Sequence, residues 1–172
     1  MKGSSYLPRL IENSHSSDRW LMVLNRLMRI LIPFNRPHAV KILEMGENLV
    51  RTSAPYQRKN FNHLRGVHAC AIATIAEFSA GLMLLSRLDP TRYRLIMSSL
   101  RVDYLFQARQ DIIAETRLED AELTSEILGP LQEQLAIKTS LNTLVTDANG
   151  RKIARVKTCW QIKDWDKVRT RT

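Results

Sequence analysis

Glu77 lies inside "GVHACAIATIAEFSAGLMLL", the most apolar stretch of the chain, where it and His68 are the only acidic or basic side chains between Val67 and Leu85. Taking a carboxylate out of water is costly unless the group is paired or protonated. Desolvation also raises its pKa. A carboxyl tuned upward in a cleft is a candidate general base or nucleophile. The plainer reading is a Glu paired with an Arg from a facing strand or a second subunit, and the residue types alone leave both open.

The residues just upstream bear on that choice. "NHLRG" supplies Asn62, His63 and Gly66. A glycine at a helix start, expected at Gly66, allows close approach of a ligand or of backbone. The first N–H groups of a helix are unpaired and carry partial positive charge, so those near His68, Ala69 and Cys70 are placed to stabilise a negative oxygen such as an acyl-transfer oxyanion. Positions 66, 70, 73 and 77 are spaced by four, three and four and share one helical face. Ala73 leaves room for a ligand lying along that face to meet the helix start and Glu77 together.

Other reactive types read more plainly. His63 and His68 are taken first as hydrogen-bonding residues. Cys70 could be activated at a helix start, but a small packed cysteine is the simpler reading, as it is for Cys159. Asp103 is a second acid, either ion-paired or lining the site mouth.

The elements that position these groups follow from pattern. "SSDRWLMVLNRLMRILIP" reads as a helix over 18–32, with a serine cap, Asp18 in the first turn and Pro33 as the stop. Trp20, Leu24, Leu27, Met28 and Leu31 are expected on its packed face, with Asn25, Arg26 and Arg29 opposite; a basic amphipathic helix on a membrane is the alternative. "AVKILEMGENLVRTSAP" reads as two strands broken near Gly46. A central helix follows over about 66–86. In "RLIMSSLRVDYLFQA", the alternation puts Ile96, Ser98, Leu100, Val102, Tyr104 and Phe106 on one face. "QDIIAETRLE" is another strand, and "DAELTSEILGPL" a short helix ending at Gly129-Pro130. The last two strands flank Asn149-Gly150, a strong hairpin signal. Residues 18–165 form one domain, preceded by a flexible leader over 1–17 and followed by a basic tail over 166–172. One long helix among antiparallel strands is an α+β pattern with the sheet covering the helix.

The 172-residue chain has 26 Lys+Arg against 17 Asp+Glu. That surplus points to an anionic ligand, but no helix-turn-helix, zinc-finger or RNA-binding signature is present, so nucleic acid is not expected. Two distant cysteines make no disulfide framework and no metal-ligand spacing; a reducing, cytoplasmic compartment without metal or cofactor is expected. The carboxylate in the apolar stretch argues against a transmembrane segment.

Together these residues resemble the hotdog-fold acyl-CoA thioesterases. In the phenylacetate-pathway and 4-hydroxybenzoyl-CoA branches an Asn or Gln precedes a His-Gly-Gly at the start of a central helix, and an Asp or Glu follows nine residues after that His. Here His68 plus nine is Glu77, and Asn62 stands where the amide residue is expected. A less-studied thioesterase group with an "NH…G…A…LAE" pattern is similar too, and the likeness spans roughly residues 38–163. The family's Gly-Gly is Ala69-Cys70 in this chain. The resemblance implies a curved antiparallel sheet around the helix, with an added N-terminal helix. It also implies a homodimer or homotetramer and hydrolysis of an acyl-CoA or acyl-carrier thioester. By it, Glu77 activates water or attacks the carbonyl, Asn62 helps orient the thioester or the water, and the N–H groups near Ala69 and Cys70 hold the oxyanion. The phosphates of CoA call for cations at the pocket mouth, with Arg58, Lys59 and Arg65 as candidates. A hotdog module that binds an acyl ligand without cleaving it is the alternative.

Overall fold

Buried and more exposed positions alternate along the last two strands, interrupted where Ile153 and Ala154 are both buried. β5 (Ala136–Asp147) and β6 (Lys152–Asp164) pair antiparallel, from Ala136 opposite Lys163 to Thr146 opposite Lys152. In the turn between them Gly150 has a φ of 78°, a left-handed value that glycine adopts without a Cβ clash. The Asp147 carboxylate closes that turn by accepting from the N–H groups of Asn149 and Arg151. The structure, a computed structural model, describes residues 6–167.

Four further strands complete one sheet: β1 (Lys41–Met45), β2 (Leu49–Ala54), β3 (Tyr93–Tyr104) and β4 (Ile112–Arg117). Their order is β1-β2-β4-β5-β6-β3, and every neighbouring pair is antiparallel. The sheet wraps α3 (Ala69–Arg87), which packs on β2, β4, β5, β3 and β6. This curved sheet around one helix is the hotdog fold, and the α+β expectation holds. By length and composition α3 could cross a membrane, but it is the core helix here, with Ile75, Ala76, Ala80, Leu82, Met83 and Leu84 almost wholly buried.

Buried hydroxyls pin α3 to the sheet. Ser79 donates to the Val50 carbonyl at 3.0 Å, Thr116 donates to Ser79 Oγ at 2.9 Å, and Thr116 and Thr143 hydroxyls lie 2.7 Å apart. Each hydroxyl has one proton, so the chain runs one way: Thr143 to Thr116 to Ser79 to the carbonyl. Thr52 likewise donates to the Ile75 carbonyl within the helix at 2.7 Å.

Several expectations are corrected. The leader expected to be flexible contains a helix, α1 (Tyr6–Ser14), whose Ile11 and Ser14 are buried; residues 1–5 of it lie outside the described residues, as do 168–172 of the expected tail. α2 (Asp18–Leu31) packs through Leu24 and Met28, while Trp20 and Leu31 are exposed. Asn25 faces inward instead of outward: its side chain accepts from the Ile42 N–H at 2.8 Å and donates to the Ile42 carbonyl at 2.9 Å, satisfying the open edge of β1. In β3 the pairing passes from Met97 opposite Trp160 to Ser99 opposite Cys159, so Ser98 is an extra residue. The resulting bulge reverses the alternation, and Ile96 lies on the opposite face from Leu100, Val102 and Tyr104; Phe106 lies beyond the strand. The helix expected to stop at Gly129-Pro130 runs on: Asp120–Glu122, a π-helical stretch Leu123–Leu128 and Gly129–Glu133 follow without a break. The Gly129 N–H reaches the Thr124 carbonyl in the wider π spacing, and Pro130 sits in the first turn of the next segment, where its missing N–H costs nothing.

Candidate active site

The start of α3 is set by the loop before it. The Val67 N–H donates to the Ala108 carbonyl and the His68 N–H to the Asn60 carbonyl, so residues 67 and 68 are held extended and the helix begins at Ala69. Gly66 is therefore three residues ahead of the helix, not its first turn. Its missing Cβ has another use: the side chain of Gln107 lies there, with Cγ only 2.5 Å from where a Cβ would be.

Asn62 organises the same loop. Its Oδ1 accepts from the N–H groups of Leu64 and Gly66, both at 2.9 Å, and its own N–H donates to the Gly66 carbonyl. Arg65 adopts a φ of 57° in this tight turn, and the Tyr56 hydroxyl donates to its carbonyl at 2.6 Å. The Asn62 Nδ2 group has no partner among the described residues. Sequence reasoning missed a second amide, Asn60. It is 1% exposed and donates to the carbonyls of His38 and Pro55, while its Oδ1 accepts from His38 Nδ1. No local pattern marks Asn60, because its partners come from distant parts of the chain.

His68 caps the helix. Its Nδ1 accepts from the Cys70 N–H at 3.1 Å, which places the ring proton on Nε2. The Ala69 N–H is left without a partner among the described residues, and the Tyr104 hydroxyl donates to the Ala69 carbonyl at 3.1 Å. Burial, and to a lesser degree the Cys70 thiol, push the Tyr104 phenol upward. A cavity of about 270 Å³ opens at this helix end, lined by His38, Lys59, His68, Cys70 and Thr74 among others. Lys59 thus reaches the site. Arg58, Arg65 and His63 are solvent-exposed around it.

Glu77 stands two turns further along. Cys70, Ala73, Glu77 and Gly81 form the strip of α3 that the sheet leaves uncovered, ranging from exposed to half-buried. The carboxylate makes no ion pair or hydrogen bond among the described residues, so none of the arginines among them is the partner of the plainer reading. Burial raises its pKa above the ordinary value, with no cation among the described residues to oppose the shift. Trp160 of β6 packs beside it across Gly81. The facing inner side of β3 presents Leu100, Val102 and Tyr104, all incompletely buried.

Asp103 is on the other side of the sheet, paired with Arg101 at 3.3 Å. Cys159 is also on that outer face, 3.1 Å from the Ser140 hydroxyl. Hydrogen bonds from Ser140 and Ser99 lower its pKa. No three His, Cys, Asp or Glu side chains converge as a metal site among the described residues.

Solved structures share this architecture. A Pseudomonas aeruginosa protein of unknown function, described as a probable thioesterase, superposes with a TM-score of 0.77 at 23% identity, covering 83% of this chain and 95% of that one. A thioesterase from Haemophilus influenzae superposes with a TM-score of 0.69 at 11% identity, covering 88% and 94%. A Pseudomonas aeruginosa thioesterase variant gives 0.68 at 12% identity, covering 87% and 96%. At these identities the likeness establishes the fold alone. No curated protein matches the chain. A family model does match over residues 22–162, and the chain accordingly belongs to the family described as domain of unknown function DUF4442.

Proposed function

We propose that this protein is a thioester hydrolase acting on an acyl-CoA or acyl-carrier thioester, with Glu77 as general base or nucleophile. The observation that carries the reading is the Glu77 carboxylate itself. It is half-buried and unpaired among the described residues, its pKa is raised by burial, and it lies on the same uncovered helical strip as the helix N-terminus. In the general-base form, Glu77 takes a proton from water as the oxygen attacks the thioester carbonyl. The tetrahedral oxyanion faces the Ala69 N–H at the positive end of α3. Collapse breaks the C–S bond, and the proton passes to the leaving thiolate. Support for the class also comes from the thioesterases that share the fold, and from the His68-to-Glu77 spacing seen in the phenylacetate-pathway and 4-hydroxybenzoyl-CoA branches.

The reading includes a homodimer, or a tetramer built from it. β3 is an edge strand of twelve residues with exposed Ile96 and Met97. Such an edge is a template for pairing, and a second copy there would cover the open side of the Glu77 strip. Lys59, with Arg58 and Arg65, would meet the CoA phosphates.

One observation favours the alternative of a non-catalytic acyl-binding module: the His68 ring already occupies the Cys70 N–H and the His68 carbonyl takes those of Ala71 and Ile72, so among the described residues the Ala69 N–H is the one in the first turn left for an oxyanion. Thiol release from a panel of short, long and aromatic acyl-CoAs, comparing wild type with Glu77→Gln, separates the two. Hydrolysis that collapses in the variant supports the enzyme. An inert wild type that still binds acyl-CoA supports the module.

A further inference from the structure

The outward face of α2 combines exposed apolar side chains with a surplus of cations. Met22 and Ile30 are 67% and 68% exposed, and Phe34, in the turn after the helix, is 63% exposed. Interleaved with them are Arg19, Arg26, Arg29 and Arg36, all exposed, with Lys41 at the start of β1. From Asp18 to Lys41 these five cations are opposed by one acid, Asp18. None of the five enters an ion pair among the described residues. Met22, Arg26, Arg29, Ile30, Arg36 and Lys41 line one open groove of about 820 Å³.

The helix is nevertheless firmly mounted. Leu24 and Met28 are buried in the core, and Asn25 is bonded to the β1 edge. The outward face is therefore a rigid platform of apolar side chains and guanidinium groups.

We propose that this face docks on an anionic lipid bilayer. Charge and polarity choose among occupants. A second copy seated face to face would set these arginines against their own equivalents. A nucleic acid backbone would satisfy the arginines and leave Met22 and Ile30 without a role. A bilayer containing anionic lipid takes both: arginines at the headgroup level and Met22, Ile30 and Phe34 at the acyl boundary. Docking would not depend on the thioesterase reading.

The test is flotation of the full chain with phosphatidylcholine vesicles made with and without phosphatidylglycerol, at low and high salt. The expected result is binding to the anionic vesicles that weakens with salt, and little binding to phosphatidylcholine alone. Arg26→Glu with Arg29→Glu should weaken binding about tenfold or more, and Met22→Ser with Ile30→Ser should also weaken it. Lys138→Glu with Lys157→Glu, on the outer face of the sheet, should leave it unchanged. Circular dichroism confirms that each variant folds. The lipid and salt arms use the wild-type protein, so misfolding of a variant does not rescue the proposal. Absence of binding, equal binding to neutral vesicles, or equal loss in the Lys138/Lys157 variant would overturn it. So would a protein that ignores vesicles and whose oligomers dissociate on the Met22/Ile30 change, which would make the face a contact between copies.

Discussion

Glu77 Oε1 lies 3.9 Å from where a Cβ on Gly81 would stand, and the Trp160 ring lies 3.1 Å from the same point. A helical glycine thus leaves the space between the carboxylate and the indole open. Gly81→Ala should gain up to about 1 kcal/mol of helix propensity and lose part of it to the displaced ring. We expect a thermal midpoint close to wild type together with a lower kcat/KM for bulky acyl chains than for acetyl-CoA. An unchanged ratio between those substrates would remove Gly81 from the acyl path.

The raised pKa of Glu77 fixes the sign of a pH effect. A carboxyl with a folded pKa above its unfolded value binds its proton more tightly when folded, so its contribution to stability is full below the ordinary value of 4.5 and is lost as pH rises through the raised pKa. Glu77→Gln should therefore melt near wild type at acid pH and above it at pH well past that pKa. Paired melts across the range check this. Hydrolysis that requires the carboxylate should show a rate rising with pH through the same pKa.

The hydroxyl chain from Thr143 to the Val50 carbonyl holds α3 in register with the sheet. Thr116→Val leaves the Thr143 donor and one Ser79 lone pair without their partner in a site where all three residues are at most 2% exposed. The expected cost is about 1–3 kcal/mol in denaturant unfolding, with the slope unchanged. Thr52→Val should cost a similar amount by orphaning the bond to Ile75.

Asn62 divides into two halves that can be tested apart. Its Oδ1 closes the loop, while Nδ2 is free for a ligand among the described residues. Asn62→Asp keeps an acceptor and removes the amide donor, so it should preserve the melting temperature and lower kcat. Asn62→Ala removes both and should cost roughly 1–2 kcal/mol of stability as well. If Asn62→Asp retains full activity, the residue positions the loop and nothing more.

What the sequence determined by itself was the material that repeats along the chain. The β5–β6 hairpin was legible because alternation and Asn149-Gly150 are local signals, and α3 because a long apolar run with one carboxylate needs a surrounding sheet. Glu77, Ala73 and Cys70 could be set on one face by helical period alone. Tertiary structure decided the rest, since each outcome depends on partners remote in sequence. The helix begins at Ala69 because Asn60 and Ala108 hold the two preceding residues extended. Asn25 points inward because the β1 edge needs a partner, and one extra residue at Ser98 reverses the face of half a strand. That Glu77 has no cation beside it was equally beyond any local pattern. An ion pair is a matter of three-dimensional distance, and no described arginine of this chain is brought within reach.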